Sequence, residues 1–190
     1  MSTNYLETTD LIRQWQHGDG QAFEVLIERV YDNLKTIARR NLANEFRGSG
    51  LDTTELLNEA CILMMGKQSV EMKNRRHFLN VASQACYRWL VDESRRRKTQ
   101  KNGGEWVRVS IEEGHEPWNL DVDSVLVLDR FLTDLETQDP LLVRIVKMRT
   151  FAGFTIREVA ELLEVPVITV NRKYGFALAL LREKLETEPH

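Results

Sequence analysis

Cysteine, proline and glycine are scarce in this chain of 190 residues, at two, four and ten copies. Cys61 and Cys86 have no Cys-x-x-Cys spacing and no clustered histidine, which excludes a disulfide framework and a zinc site of the usual kind. Each lies inside an apolar helical pattern and reads as a small core side chain. So few glycines and prolines, with 42% hydrophobic and 29% charged residues, exclude a collagen-like, low-complexity or disordered chain. No run of about 18 uncharged apolar residues is present to cross a bilayer, and the start MSTNYLETTD lacks the basic-then-apolar layout of a signal peptide. A cytoplasmic protein with no membrane insertion is expected. His17, His77, His115 and His190 are scattered, and there is no GxGxxG, P-loop or carboxylate-histidine grouping, so neither catalysis nor a metal or cofactor is expected.

What is present is helical periodicity. Leu11, Ile12 and Trp15 mark a short first helix that stops near Gly18 and Gly20. Phe23, Leu26, Ile27, Val30, Tyr31, Leu34, Ile37 and Ala38 keep three-and-four spacing over a long second one, followed by a loop from Phe46 to Gly50. Asp52-Thr53-Thr54-Glu55 is an acidic variant of the capping box and opens a third, with Leu56, Leu57, Ala60, Leu63 and Met64 on its apolar side. After a polar loop from Gly66 to Asn74, a fourth helix places Phe78, Ala82, Ala85 and Trp89 on one stripe, beside Leu79, Cys86 and Leu90. Past Val91 the stripe stops and a basic run begins. From Gly103 to Val122 periodicity fails and acids accumulate, apart from Val107 and Val109 alternating with Arg108 and Ser110, which allows one short extended piece. Val125, Leu128, Leu132 and Leu135 then start a second helical module, and Asp139-Pro140 reads as a cap followed by proline at the first helical position. The expected fold is all-α, with two small helical domains, residues 1–102 and 123–190, joined by an acidic linker, 103–122.

Charge is segregated along the chain. Residues 71–102 hold nine basic and three acidic side chains, while residues 103–140 hold two basic and ten acidic. The cluster Arg95, Arg96, Arg97, Lys98 and Lys101 either forms a site for a polyanion or is a solvated helix end. The acidic stretch can in turn lie against the basic one, giving a free protein that is compact and self-masked.

The most specific local pattern is TIREVAELLEVPVITVNRKYGFALALLREKL, residues 155–185. Thr155 and Glu158 form a capping box, Phe154 can staple onto Val159, and Val159, Leu162 and Leu163 supply a buried face, with Ala160 small where a second helix must cross. A break at Glu164 and Val165 precedes Pro166, which opens a helix whose core side carries Val170, Tyr174, Ala177, Leu178 and Leu181. This is either an ordinary helical hairpin or a helix-turn-helix, whose second helix presents its early residues to a major groove. In the latter, Val167, Thr169, Asn171, Arg172 and Lys173 point outward or flank that face, with Asn171 able to pair with adenine and Arg172 and Lys173 with guanine or phosphate. Glu164 stands where glycine would ease a left-handed backbone, and Gly175 and Phe176 add no charge, so weak duplex binding by this unit alone is expected.

In their order and spacing, LDTTELLNEA, then NRRHFLNVASQACYRWLVDESRRRKTQKNGG, then VPVITVNRKY resemble the extracytoplasmic-function (ECF) sigma factors of bacterial RNA polymerase, from about Thr8 to Leu185. The resemblance implies a promoter-specificity subunit that recruits core polymerase, reads an upstream element as duplex and stabilises melted bases downstream. It implies that Asp52, Glu55, Leu56, Asn58 and Glu59 dock on the polymerase clamp. It places Asn74, Arg75, Arg76, His77 and Asn80 at an unstacked downstream base, with Arg88, Arg95, Arg96 and Arg97 guiding phosphates. Trp89 fits the core better than a stacking platform. The acidic linker is a nucleic-acid mimic inside polymerase or a plain spacer. Partners implied are core RNA polymerase, promoter DNA and, as a further candidate, an anti-sigma factor. The competing readings are a helix-turn-helix regulator that works without polymerase, for which the 52–59 surface would have no use, and a helical interaction adaptor with merely solvated basic faces.

Overall fold

The computed structural model describes residues 7–41, 53–100 and 122–187. The expectations placed on Phe46 to Gly50, Asp52, Lys101, Val107, Val109, His115, His190 and the acidic stretch up to Asp121 lie outside the described residues. Among the described residues the secondary structure is entirely helical: α1 (Thr8–Gln16), α2 (Gly20–Asn41), α3 (Thr53–Met65), α4 (Arg75–Gln100), α5 (Val122–Glu136), α6 (Pro140–Thr150), α7 (Ile156–Leu163) and α8 (Val167–Thr187).

The N-terminal four helices build on an aromatic nucleus. Trp15 of α1 lies 4.9 Å from Phe23 of α2 and 5.9 Å, edge-on, from Phe78 of α4. Between α1 and α2 the chain turns at Gly18, whose φ of +99° suits glycine, and Asp19 accepts from the Gln21 and Ala22 amides at 2.9 and 3.1 Å to start α2. Leu26, Val30, Leu34, Ile37 and Ala38 carry the buried stripe along α2, and Leu56, Leu57, Ala60 and Met64 do so on α3. Tyr31 and Leu63, expected in those stripes, are exposed. Each falls on the edge of its helix's apolar arc, where no described helix covers it.

Helix α4 is 26 residues long and packs against α1, α2 and α3 on one side and α5 and α6 on the other. The burial does not end at Val91 as expected: Glu93 continues the Phe78-Ala82-Cys86-Trp89 stripe, and Ser94 is buried on the Tyr87 side, towards α5 and α6. Trp89 is half-buried and packs against the core, in line with the core reading.

In the C-terminal four helices, the Asp139 carboxylate accepts from the Leu142 amide at 2.9 Å, with Pro140 at the first helical position of α6. The Thr155 capping box forms as its spacing demands: the Glu158 amide donates to Thr155 Oγ1 at 3.2 Å, and the Thr155 amide donates to Glu158 Oε2 at 2.8 Å. Helix α7 closes on Glu164, which adopts φ 55°, ψ 41°, while the Val165 amide reaches the Ala160 carbonyl at 3.0 Å. The Pro166 carbonyl then accepts from Thr169 and Val170 and starts α8. Val170, Ala177 and Leu181 are buried on α8, with Tyr174 and Leu178 half-buried beside them.

Glu164 is the described non-glycine residue with positive φ, and an L side chain there costs about 1–2 kcal/mol. Replacing it by glycine removes that strain at some cost in unfolded-chain entropy. Glu164→Gly is therefore expected to stabilise the protein by about 1 kcal/mol. Urea denaturation of both forms checks this, and no gain would mean that the turn is not strained.

Candidate nucleic-acid and polymerase interface

Helix α4 spans about 39 Å at its full length, and the downstream candidates are distributed along it. At its start, Asn74 Oδ1 accepts from the His77 amide at 3.1 Å, so Asn74 caps the helix. The Lys73 amide lies 3.4 Å from His77 Nδ1 and donates towards it. The preceding loop is held from both sides: Met72 is buried, and Gln16 Nε2 of α1 donates to the Val70 carbonyl at 2.7 Å. Arg75 donates to Asn33 Oδ1 of α2, and Arg76 donates to Glu161 of α7 with Glu158 3.9 Å away. Asn80 is half-buried and Arg88 exposed.

At the far end of α4 the arginines are less available than the basic run suggests. The buried Glu93 carboxylate receives Arg96 through two bonds of 2.7 Å and Arg97 Nε at 2.6 Å. Its pKa is held below the ordinary 4.5, chiefly by the Arg96 hydrogen bonds, against an opposing push from burial, and further by Arg97. Arg97 is the more enclosed of the two, with 18% of its side chain exposed against 59% for Arg96. Arg95 Nη2 lies 2.8 Å from Asp129 Oδ2 of α5. Sequence spacing could have found the Glu93 pairs, because three and four residues separate the partners on a helix.

On α8, Val167, Asn171 and Arg172 are exposed and Thr169 is half-buried. Lys173 is turned back onto Asp139, the cap of α6. Burial alone would raise the Asp139 pKa, but Lys173 and the Leu142 amide outweigh it and leave the carboxyl below its usual range. Sequence reasoning missed Ile168, which is 71% exposed. It lies three and four residues before Asn171 and Arg172, off the Val170-Tyr174-Ala177-Leu181 stripe, and that spacing is the signal that could have found it. An exposed apolar side chain there suits a thymine methyl group.

On α3, Glu55 and Asn58 are exposed and Glu59 is half-buried, while Leu56 is completely buried. Leu56 therefore cannot contact a partner in this state and instead anchors α3 in the core. The exposed apolar side chains of α3 are Ile62, Leu63 and Met65, of which the sequence reading places Leu63 in the buried stripe and leaves the other two unassigned.

The described residues are all helical, and α7 and α8 have the layout of a capped helix-turn-helix. The family of ECF sigma factors matches residues 6–188, nearly the whole chain. A search of curated proteins returned no match. The chain belongs to the ECF sigma factor family and is an RNA polymerase sigma factor that acts in transcription initiation and its regulation. Its partners by family are RNA polymerase and promoter DNA. No described helix is long and apolar enough to cross a membrane, and no cluster of potential metal ligands occurs among the described residues.

Because folding lowers the Glu93 pKa, its contribution to stability is complete above about pH 4.5 and falls as pH drops through the folded value. Glu93→Gln should therefore lose stability at pH 7 and show a flatter decline between about pH 5 and 3 than the wild type. Thermal melts across that range check it. Parallel curves would mean that Glu93 carries none of the acid sensitivity.

Proposed function

We propose that residues 1–102 dock on core polymerase and hold opened downstream DNA, that 103–122 tether the two units, and that 123–190 read the upstream element as duplex. The observation that carries this reading is the α7–α8 turn. A capped helix, a left-handed Glu164 and a Pro166-started α8 leave Ile168, Asn171 and Arg172 exposed together at the helix start, where a major groove would meet them. The loop held by Gln16 and Met72, with Asn74, Arg75, Arg76, His77 and Asn80 beside it, would take the unstacked base. Arg88, Arg95 and Arg96 would track the strand's phosphates, Arg97 reinforcing Arg96 through Glu93. Val167 and Thr169 would flank the upstream contact, and Lys173 would join it on release from Asp139. Glu55, Asn58 and Glu59 would face the polymerase clamp, extended by Ile62, Leu63 and Met65. The protein would work in the cytoplasm without catalysis of its own, and an anti-sigma factor is a further candidate partner.

The test is to combine the purified protein with core polymerase and a pool of genomic fragments from its host. Initiation at a shared pair of motifs is expected. DNA binding by the protein alone, with no polymerase complex, would make it an independent regulator. Replacing Asn58 and Glu59 by Ala should weaken polymerase binding about tenfold with unchanged helicity, as a lost interface contact of about 1.4 kcal/mol requires. Equal binding of polymerase by that variant, measured by fluorescence anisotropy, would remove the docking role. Asn171→Ala should relax discrimination at one base position by about 1–3 kcal/mol. A loss uniform across sequences would instead make Asn171 a phosphate contact.

A further inference from the structure

We propose that Gly175 is a positioning residue for the upstream element: it lets the sugar–phosphate backbone of the duplex pack directly on α8, and so lets Ile168 reach the methyl groups of thymine bases. The inference rests on the reading of α8 as the duplex-reading helix made above. Gly175 lies in the interior of α8 and is exposed. Its φ is not left-handed, and a Cβ placed on it would meet nothing within 4 Å. Neither turn geometry nor packing in the free protein therefore requires glycine there. In an exposed helix interior glycine disfavours the helix relative to alanine, because it loses more conformational freedom on folding. The remaining physical use of a glycine in such a place is close approach of another molecule to the backbone.

Its position on the helix identifies what approaches. At about 100° per residue, Val170, Tyr174, Ala177 and Leu181 fall together on the covered side of α8. Ile168, Arg172 and Gly175 lie together on the opposite side, with Asn171 at its edge. Gly175 is two turns beyond Ile168, about 10 Å along the axis at 1.5 Å per residue. The major groove is about 12 Å wide. A helix that presents its first turn to base edges therefore meets the wall of the groove, which is sugar and phosphate, at about Gly175. A side chain at that point holds α8 off the wall and withdraws its first turn from the bases. Ile168 is 71% exposed and has no polar atom beyond the backbone, so the base-edge group it suits is the C5 methyl of thymine, while Asn171 beside it suits adenine. The missing charge at Gly175 gives up attraction to phosphate, but a lysine or arginine there would give up the approach.

The experiment uses the holoenzyme, formed from the full-length protein and core polymerase, and a promoter on which it initiates. Gly175→Ala should raise the thermal midpoint of the free protein by about 2–4 °C and leave its affinity for core polymerase unchanged. The same variant should weaken holoenzyme binding to the promoter about tenfold. A role in the fold alone cannot give a gain and a loss of opposite sign. Replacing upstream thymines one at a time by deoxyuridine removes only the methyl group, and should cost the wild type about fourfold at one position or more. Gly175→Ala and Ile168→Ala should lose less at that position. Promoter binding by Gly175→Ala equal to that of the wild type, or a lowered thermal midpoint, overturns the proposal. So does indifference of the wild type to the loss of every upstream methyl group. Asn171→Ala in the same assay keeps the two failures apart. Relaxed discrimination by Asn171→Ala, with no effect of Gly175→Ala, retires this inference and leaves the upstream reading of α8 standing.

Discussion

Tyr87 joins the two halves of the molecule. Its ring meets Phe151, its hydroxyl meets Asp129, and Lys147 stands 5.7 Å from the ring centre. Burial raises the tyrosine pKa, and the Asp129 carboxylate raises it further, so the hydroxyl remains a donor at any physiological pH. A buried hydroxyl must be paired or it destabilises the fold. Asp129 therefore fixes where α5 lies along α4, and Arg95 balances the charge that Asp129 brings. That pairing adds direction to an apolar contact to which Val91, Val125, Leu128 and Phe151 also contribute buried surface.

The same two-sided burial explains which parts of the fold were legible in the sequence. Local rules were sufficient wherever the physics is local. The Thr155–Glu158 box, the Asp139-Pro140 start and the Pro166 start all depend on neighbours within four residues, and each forms as its spacing requires. The stripes of α1 and the core of α3 followed from periodicity for the same reason. Glu93 falls on the spacing of Ala82, Cys86 and Trp89 but is charged, so the pattern breaks there, whereas the burial of Ser94 could not be read because it depends on helices covering a second side of α4. Tyr31 and Leu63 are the converse case, apolar residues at the margin of a stripe that no partner helix reaches.

The candidate site was less legible than the fold because a charge count does not register partners. The basic run of residues 95–98 reads as a field available to a polyanion, yet Glu93 holds two of its arginines and Asp129 a third. On α8, Lys173 is held by Asp139, an acid whose first role is to cap α6. Both carboxylates serve as structural anchors, and both shift the cationic surface away from where the sequence places it. Ile168 escaped notice for the opposite reason, since an isoleucine is assigned to a core by default and here its helix turns it to solvent.

The remaining recognition surface is short and only weakly cationic, with Arg172 beside Asn171 and an exposed isoleucine. Phosphate neutralisation supplies most of the salt-dependent affinity of a DNA-binding protein, and few phosphates can be neutralised here. Such a surface can discriminate between base pairs far better than it can hold DNA unaided, because base-edge contacts and phosphate contacts are separate contributions. A sigma factor does not need to hold DNA alone. In the proposed division of labour, with both units carried on one polymerase, engagement of the second element is intramolecular, and its effective concentration replaces intrinsic affinity. Weak contact at each end then becomes an advantage, since an isolated element cannot retain the protein and only a correctly spaced pair can.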